Sequence, residues 1–131
     1  MDEKRLREIY GPAKEKAAAK ILDRLDKHCV SFIENSSFVI IGTLNNQSID
    51  LSPKGDPYGF VRVMSDELLE IPDRPGNNRI DGLLNIVKNN FISLLFLIPS
   101  VNETLRVQGE AVISEDTVSY THLTLPTNRE V

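Results

Sequence analysis

Phe91-Ile92-Ser93-Leu94-Leu95-Phe96-Leu97-Ile98-Pro99-Ser100-Val101-Asn102-Glu103-Thr104-Leu105-Arg106-Val107-Gln108-Gly109-Glu110-Ala111-Val112-Ile113 is the stretch that decides the fold class. Its opening run, Phe91 to Ile98, is far shorter than the ~20 apolar residues that cross a bilayer. Ser93 interrupts it, so it reads as a buried strand. Pro99 to Asn102 is a turn. Glu103 to Ile113 then alternates. Leu105, Val107, Gly109, Ala111 and Ile113 fall on one side, and Thr104, Arg106, Gln108, Glu110 and Val112 on the other, as in a pleated strand.

Before this pair, Ile80, Leu83, Leu84 and Val87 recur at i, i+3, i+4 and i+7, which predicts a helix over Arg79 to Asn89. Gly82 inside it costs about 1 kcal/mol relative to Ala. Further upstream, Phe38 to Leu44 and Ser48 to Ser52 read as a hairpin through Asn45-Asn46-Gln47, and Pro53 to Pro57 as a loop. Gly59 to Met64 and Leu68 to Ile71 are two more short strands. Lys4 to Tyr10 predicts a helical arm broken by Gly11-Pro12. From Ala13, apolar residues at Ala18, Ile21, Leu22, Leu25, Cys29, Phe32 and Ile33 predict one amphipathic helix. Helix, four strands, helix and two strands suit an antiparallel barrel better than a doubly wound parallel sheet, which would alternate strand and helix.

A chain of 131 residues is the size of one modest domain. Its net charge of -4 supplies no basic footprint, so neither nucleic acid nor a membrane is an expected partner. The amino terminus is charged and lacks the apolar stretch of a secretory signal. A lone cysteine, Cys29, has no disulfide partner, and the cytoplasm is the expected compartment.

Two polar clusters fall where strand meets loop: Asp50-Leu51-Ser52-Pro53-Lys54-Gly55-Asp56 and Asp73-Arg74-Pro75-Gly76-Asn77-Asn78-Arg79. The second precedes the predicted helix, whose first backbone amides and dipole suit a phosphate, with Asn77 or Asn78 as cap. Arg74 and Arg79 add guanidinium forks, and Gly76 permits close approach. The same residues also fit a plain Pro-Gly turn, a simple cap, and surface arginines paired with Asp73 and Asp81. A lone loop lysine such as Lys54 is ordinarily solvated. His28 and Cys29 on a helix read as packing residues rather than catalysts. No HExxH, GxSxG, CxxC or GxGxxG pattern is present, and no metal site is expected.

In order, Ser52 to Asp56, Gly59-Phe60-Val61, Ile71 to Arg79, Leu95 to Pro99 and Glu103 to Val107 resemble a bacterial branch of the pyridoxamine 5'-phosphate oxidase-like, FMN-binding split-barrel proteins, over about Leu6 to Ser114. The resemblance implies a mainly β (α+β) fold: an antiparallel split β-barrel with an N-terminal helix and one helix between strands. It implies a homodimer with FMN in the cleft between subunits. Asn78 and Arg79 would meet the phosphate, with Asn77 as alternative cap and Arg74 and Lys54 adding charge. The backbone at Ser52 and Pro53 would lie along the flavin ring. The chain departs from the pattern in having Gly82 where Ser is expected and Ser100 where Gly is expected. FMN itself performs the redox step, so binding residues are named and no catalytic side chain is. The implied activity is an FMN-dependent oxidoreductase on a small organic substrate. A non-catalytic flavin-binding or sensing protein, or an inactive fragment, are the alternatives.

Val118 to Thr127 breaks off a well-patterned strand without a turn signal. It is similar to the translation of one frame of a transposon-end adapter used for sequencing libraries, with Asn128 to Glu130 over the barcode. An ordinary hydrophilic extension is the other reading. The expectation is therefore a split-barrel domain over residues 1–117, its barrel incomplete at the carboxyl end, and a non-native segment over 118–131. His122 is set aside with that segment.

Overall fold

The computed structural model of the chain describes residues 1–12, 21–22, 24–73, 81–114, 119–124 and 127–130. Helix α1, Glu3–Tyr10, starts where the Asp2 carboxylate accepts the Arg5 N–H at 2.9 Å. It ends at Gly11, which has φ 71 and donates its N–H to the Arg7 carbonyl at 2.7 Å. No residue of α1 is buried, so it is an arm rather than a core element.

The single amphipathic helix expected from Ala13 is not what forms. Residues 13–20 lie outside the described residues. Ile21–Leu22 is a short strand, β1, and helix α2 runs only over Lys27–Glu34. The cause is local. Asp26 is extended, and its carboxylate accepts the Cys29 N–H at 2.8 Å, so a helix starts there. Leu25 just before it donates its N–H to the Asp66 carbonyl at 2.7 Å. The buried face within α2 is the one expected, Cys29, Phe32 and Ile33.

Strands β2, Phe38–Leu44, and β3, Ile49–Gly55, form the hairpin. In its turn, Asn45 Oδ1 accepts the N–H groups of Gln47 and Ser48, both at 2.9 Å. β3 was expected to stop at Ser52. It instead continues through Pro53 and Lys54, opposite Ile40 and Val39. β3 ends the sheet order, and an end strand tolerates a proline that cannot donate. Strand β4 covers Arg62–Ser65, three residues later than expected at its start, because Gly59 at φ 76 and Phe60 belong to the preceding turn. β5 is Leu68–Asp73, α3 is Asp81–Lys88, β6 is Phe91–Leu97 and β7 is Thr104–Ser114.

β8, Ser119–Thr124, and β9, Thr127–Glu130, lie in the segment set aside above. The pairing is antiparallel throughout, in the order β3-β2-β6-β7-β8-β5-β4, with β9 pairing β1 and β7. The path is not closed end to end. This is the α+β antiparallel split-barrel architecture that the family resemblance implied, and the antiparallel pairing that the element order predicted.

The core lies on one face of the central strands. Val39 and Ile41 of β2, Leu94 and Phe96 of β6, and Leu105 and Val107 of β7 meet Phe32 and Ile33 of α2 and Ile86 of α3. The burial of β7 follows the alternation read from the sequence through Ala111. No helix among the described residues is long and apolar enough to cross a membrane.

Candidate functional site

Of the expected site residues, Ser52, Pro53 and Lys54 are described, all three on β3. Arg74, Asn77, Asn78 and Arg79 lie outside the described residues. Directly opposed residues of an antiparallel pair point to the same face. Thr43 opposes Asp50, Ile41 opposes Ser52 and Val39 opposes Lys54. Thr43, Ile41 and Val39 are buried, so Asp50, Ser52 and Lys54 line up on the core-side face. Pro53 opposes Ile40 and belongs to the other face. The expected cluster is therefore divided by the strand: Ser52 and Lys54 on one side, Pro53 on the other.

Helix α3 packs on the core-side face. Its apolar pattern predicted the helix, but Leu84 and Val87 are 48% and 75% exposed, while the buried residues are Asn85 and Ile86. Asn85 is turned inward by chemistry rather than hydrophobicity. Its Nδ2 donates to Thr43 Oγ1 at 3.0 Å and to Asp50 Oδ2 at 2.7 Å. Asp50 Oδ2 also accepts Asn45 Nδ2 at 3.2 Å. A buried amide without such partners would be costly, and with them it fixes the helix to the hairpin. In the sequence Asn85 is marked only by being a polar residue in the middle of an eight-residue helix, a weak signal for a buried contact.

On the opposite face an open cavity of about 760 Å³ is lined by Ile40 and Gly42 of β2, Leu51 of β3, Phe91 and Leu95 of β6, and Arg106 of β7, among others. Gly42 keeps its floor low, and a Cβ there would lie 3.5 Å from Leu51 Cδ2. β2 and β6 are apolar at positions facing both sides, which is the composition of strands covered on both faces. Within this chain the outer side stays open, with Ile49 68%, Leu51 71% and Phe91 57% exposed. Periodicity gave no hint of the cavity, because both faces of these strands are apolar.

Cys29 is fully buried, as a packing residue should be. His28 departs from that expectation. It is exposed, and its Nε2 lies 2.9 Å from Glu103 Oε2, joining α2 to the start of β7. Among the described residues no group of three or more His, Cys, Asp or Glu could hold a metal ion.

A family model for pyridoxamine 5'-phosphate oxidase matches residues 25–130. No curated protein matches the chain. Among solved structures, a protein assigned as a pyridoxamine 5'-phosphate oxidase from Lactobacillus delbrueckii aligns with TM-score 0.67 at 15% identity, over 82% of this chain and 98% of its own. A Clostridium acetobutylicum protein related to general stress protein 26, of the pyridoxinephosphate oxidase family, aligns with TM-score 0.55 at 16% identity, over 80% and 89%. An FAD-binding protein from Mesorhizobium loti aligns with TM-score 0.55 at 11% identity, over 82% and 96%. At these identities the structural likeness establishes the fold, while the family model, matching most of the sequence, establishes descent: the chain belongs to the pyridoxamine 5'-phosphate oxidase family.

Proposed function

We propose that this protein binds FMN and acts as an FMN-dependent oxidoreductase on a small organic substrate, as a homodimer with the flavin held between two copies. One observation carries the reading. β3 ends the sheet with Ser52 and Lys54 on the face where α3 packs and Pro53 on the face of the cavity. A ligand wrapped around that edge meets a cation on one side and an apolar recess on the other. FMN has those two ends, a phosphate and a flat ring. The cavity volume lies within the roughly 300–1,000 Å³ typical of small-molecule sites.

Lys54, Arg74, Asn77, Asn78 and Arg79 are the groups for the phosphate, and the backbone at Ser52 and Pro53 runs beside the ring. When bound, the isoalloxazine ring supplies the hydride or electron transfer, and the protein supplies orientation and a shaped pocket. The exposed row of Ile49, Leu51 and Phe91 supports a second copy as the cover of the cavity face, since apolar patches of this kind mark interaction sites. A buried, unbridged Cys29 suits a reducing cytoplasm.

The test is the visible spectrum of the purified protein. A flavin band, or uptake of added FMN in preference to FAD and riboflavin, is expected. Absence of both refutes the reading, and preference for FAD refutes the choice of flavin. Reduction by NADH or NADPH followed by reoxidation with turnover separates an enzyme from a passive flavin binder.

A further inference from the structure

The cavity face of the sheet is a grid whose middle row carries its smallest side chains. Opposed residues share a face, so Leu51, Gly42, Ser93 and Gln108 form one rung across β3, β2, β6 and β7. Beside it on one side stands the rung of Pro53, Ile40, Leu95 and Arg106. On the other side Ile49 faces Leu44, and Phe91 faces Glu110. With Gly42 and Ser93 as its floor, the cavity is a trough across the strands, apolar at the β3 end and polar at the β7 end.

The polar end is antisymmetric in charge. Along β7, Arg106 lies about 7 Å to one side of Gln108 and Glu110 about 7 Å to the other. Gln108 and Glu110 are exposed, and Arg106 is half-buried. A two-fold axis in the plane of contact can place a second copy on this face in few ways. An axis along the strands over β7 sets Arg106 against the partner's Arg106, like charge on like. An axis along the strands over the middle of the trough lays Arg106 on the partner's Pro53 and Glu110 on the partner's Ile49, which takes both charges out of water unpaired. An axis along the middle rung lays each strand over its own mate in reverse. Arg106 then meets the partner's Glu110, and Glu110 meets the partner's Arg106. Gln108 meets the partner's Gln108, and an amide both donates and accepts. Ile40 falls on the partner's Leu44, and Leu95 on the partner's Phe91, apolar on apolar.

We infer that two copies of this chain pack these faces together about an axis along the rung of Leu51, Gly42, Ser93 and Gln108, with the register set by two Arg106 to Glu110 pairs. The inference rests on the homodimer reading above and goes beyond it in fixing which residues meet. The contact is isologous, since the same patch serves both sides. The five N–H groups of an arginine let Arg106 serve a contact within its own chain and one across the interface. The two troughs close on each other as one chamber, of which either copy alone supplies only one side.

The experiment measures the dimer Kd of the purified protein by sedimentation. Arg106→Glu and Glu110→Arg each turn both attractive pairs into repulsive ones, and each is expected to raise the Kd ~100-fold, about tenfold for each pair. The milder Arg106→Gln is expected to raise it ~10-fold and serves should a charge reversal not fold. Mixing the two reversed variants sets opposite charges across the interface again, as does the double exchange in one chain. Both are expected to return the Kd to within about threefold of the original.

Register is read separately, with a bismaleimide short enough to join only facing residues, since packed sheets lie about 10 Å apart. Gln108→Cys, on the axis, is expected to cross-link the dimer. Val112→Cys lies on the same face of β7 and is 63% exposed as valine, but roughly 27 Å separates it from its mate, and it is expected not to cross-link. Cys29 is fully buried and does not compete. A dimer indifferent to Arg106→Glu, or one that cross-links through position 112 and not 108, overturns this placement and leaves the homodimer reading standing. A protein that stays monomeric at every concentration overturns both.

Discussion

Phe91 and Phe96 are the same residue on the same strand, five positions apart and therefore on opposite faces of the sheet. Phe96 is fully buried between Val39 of β2 and Leu105 of β7, its ladder partners, both also fully buried. Phe91 is 57% exposed beside the cavity. Phe96→Ala should cost about 3–5 kcal/mol, because a cavity opens where three strands meet and the sheet cannot collapse to fill it. Phe91→Ala should cost less than about 1.5 kcal/mol in the monomer, since full burial of such a ring is worth roughly 1.5–3 kcal/mol and more than half of it is in water.

Urea denaturation measures both. With an m-value of about 1.5 kcal/mol/M, the Phe96 change moves the midpoint by about 2 M or more and the Phe91 change by less than about 1 M. Repeating the titration at two protein concentrations adds a second reading. If a second copy covers the cavity face, the cost of Phe91→Ala grows with concentration, because dimerisation stabilises the native state by mass action. Equal midpoint shifts for the two variants would show that the sheet faces have been assigned wrongly. A concentration-independent Phe91 effect would remove the support for a dimer through this face.

Asp26→Ala removes the N-cap of α2 and should lower stability by about 1 kcal/mol, read as a drop of a few degrees in the thermal midpoint, with Asp26→Asn nearly neutral. Arg79→Ala should weaken FMN binding much more than riboflavin binding in a fluorescence titration, and an equal loss would show that Arg79 does not hold the phosphate. Gly42→Leu should fill the cavity floor and weaken FMN and riboflavin alike, whereas Gly42→Ala, whose Cβ makes only ordinary contacts, should be tolerated. Cys29 should resist a thiol reagent in the native protein and react fully in denaturant, because its side chain is completely buried.

The sequence by itself determined the parts whose signal is local. The alternation of Glu103 to Ile113, the apolar run of Phe91 to Leu97 and the Asn45 turn each settle their own backbone within a few residues, so β2, β6, β7 and the antiparallel class were legible. The residue types of Arg74 to Arg79 fit both an anion site and a plain capped turn, and the likeness of several motifs in order carried the family.

Tertiary structure decided three other things. It started α2 only at Asp26, where a cap and the Leu25 bond to Asp66 override a helical pattern that extends upstream in the sequence. It turned α3 so that Asn85 rather than Leu84 or Val87 faces the hairpin, because Thr43 and Asp50 are far apart in sequence from Asn85 and only the folded sheet brings both acceptors to one amide. It also carried β3 past Pro53, dividing Ser52 and Lys54 from Pro53 between two faces. A proline reads as a loop until the strand is known to lie at the edge of a sheet, and strand order is a property of the whole fold.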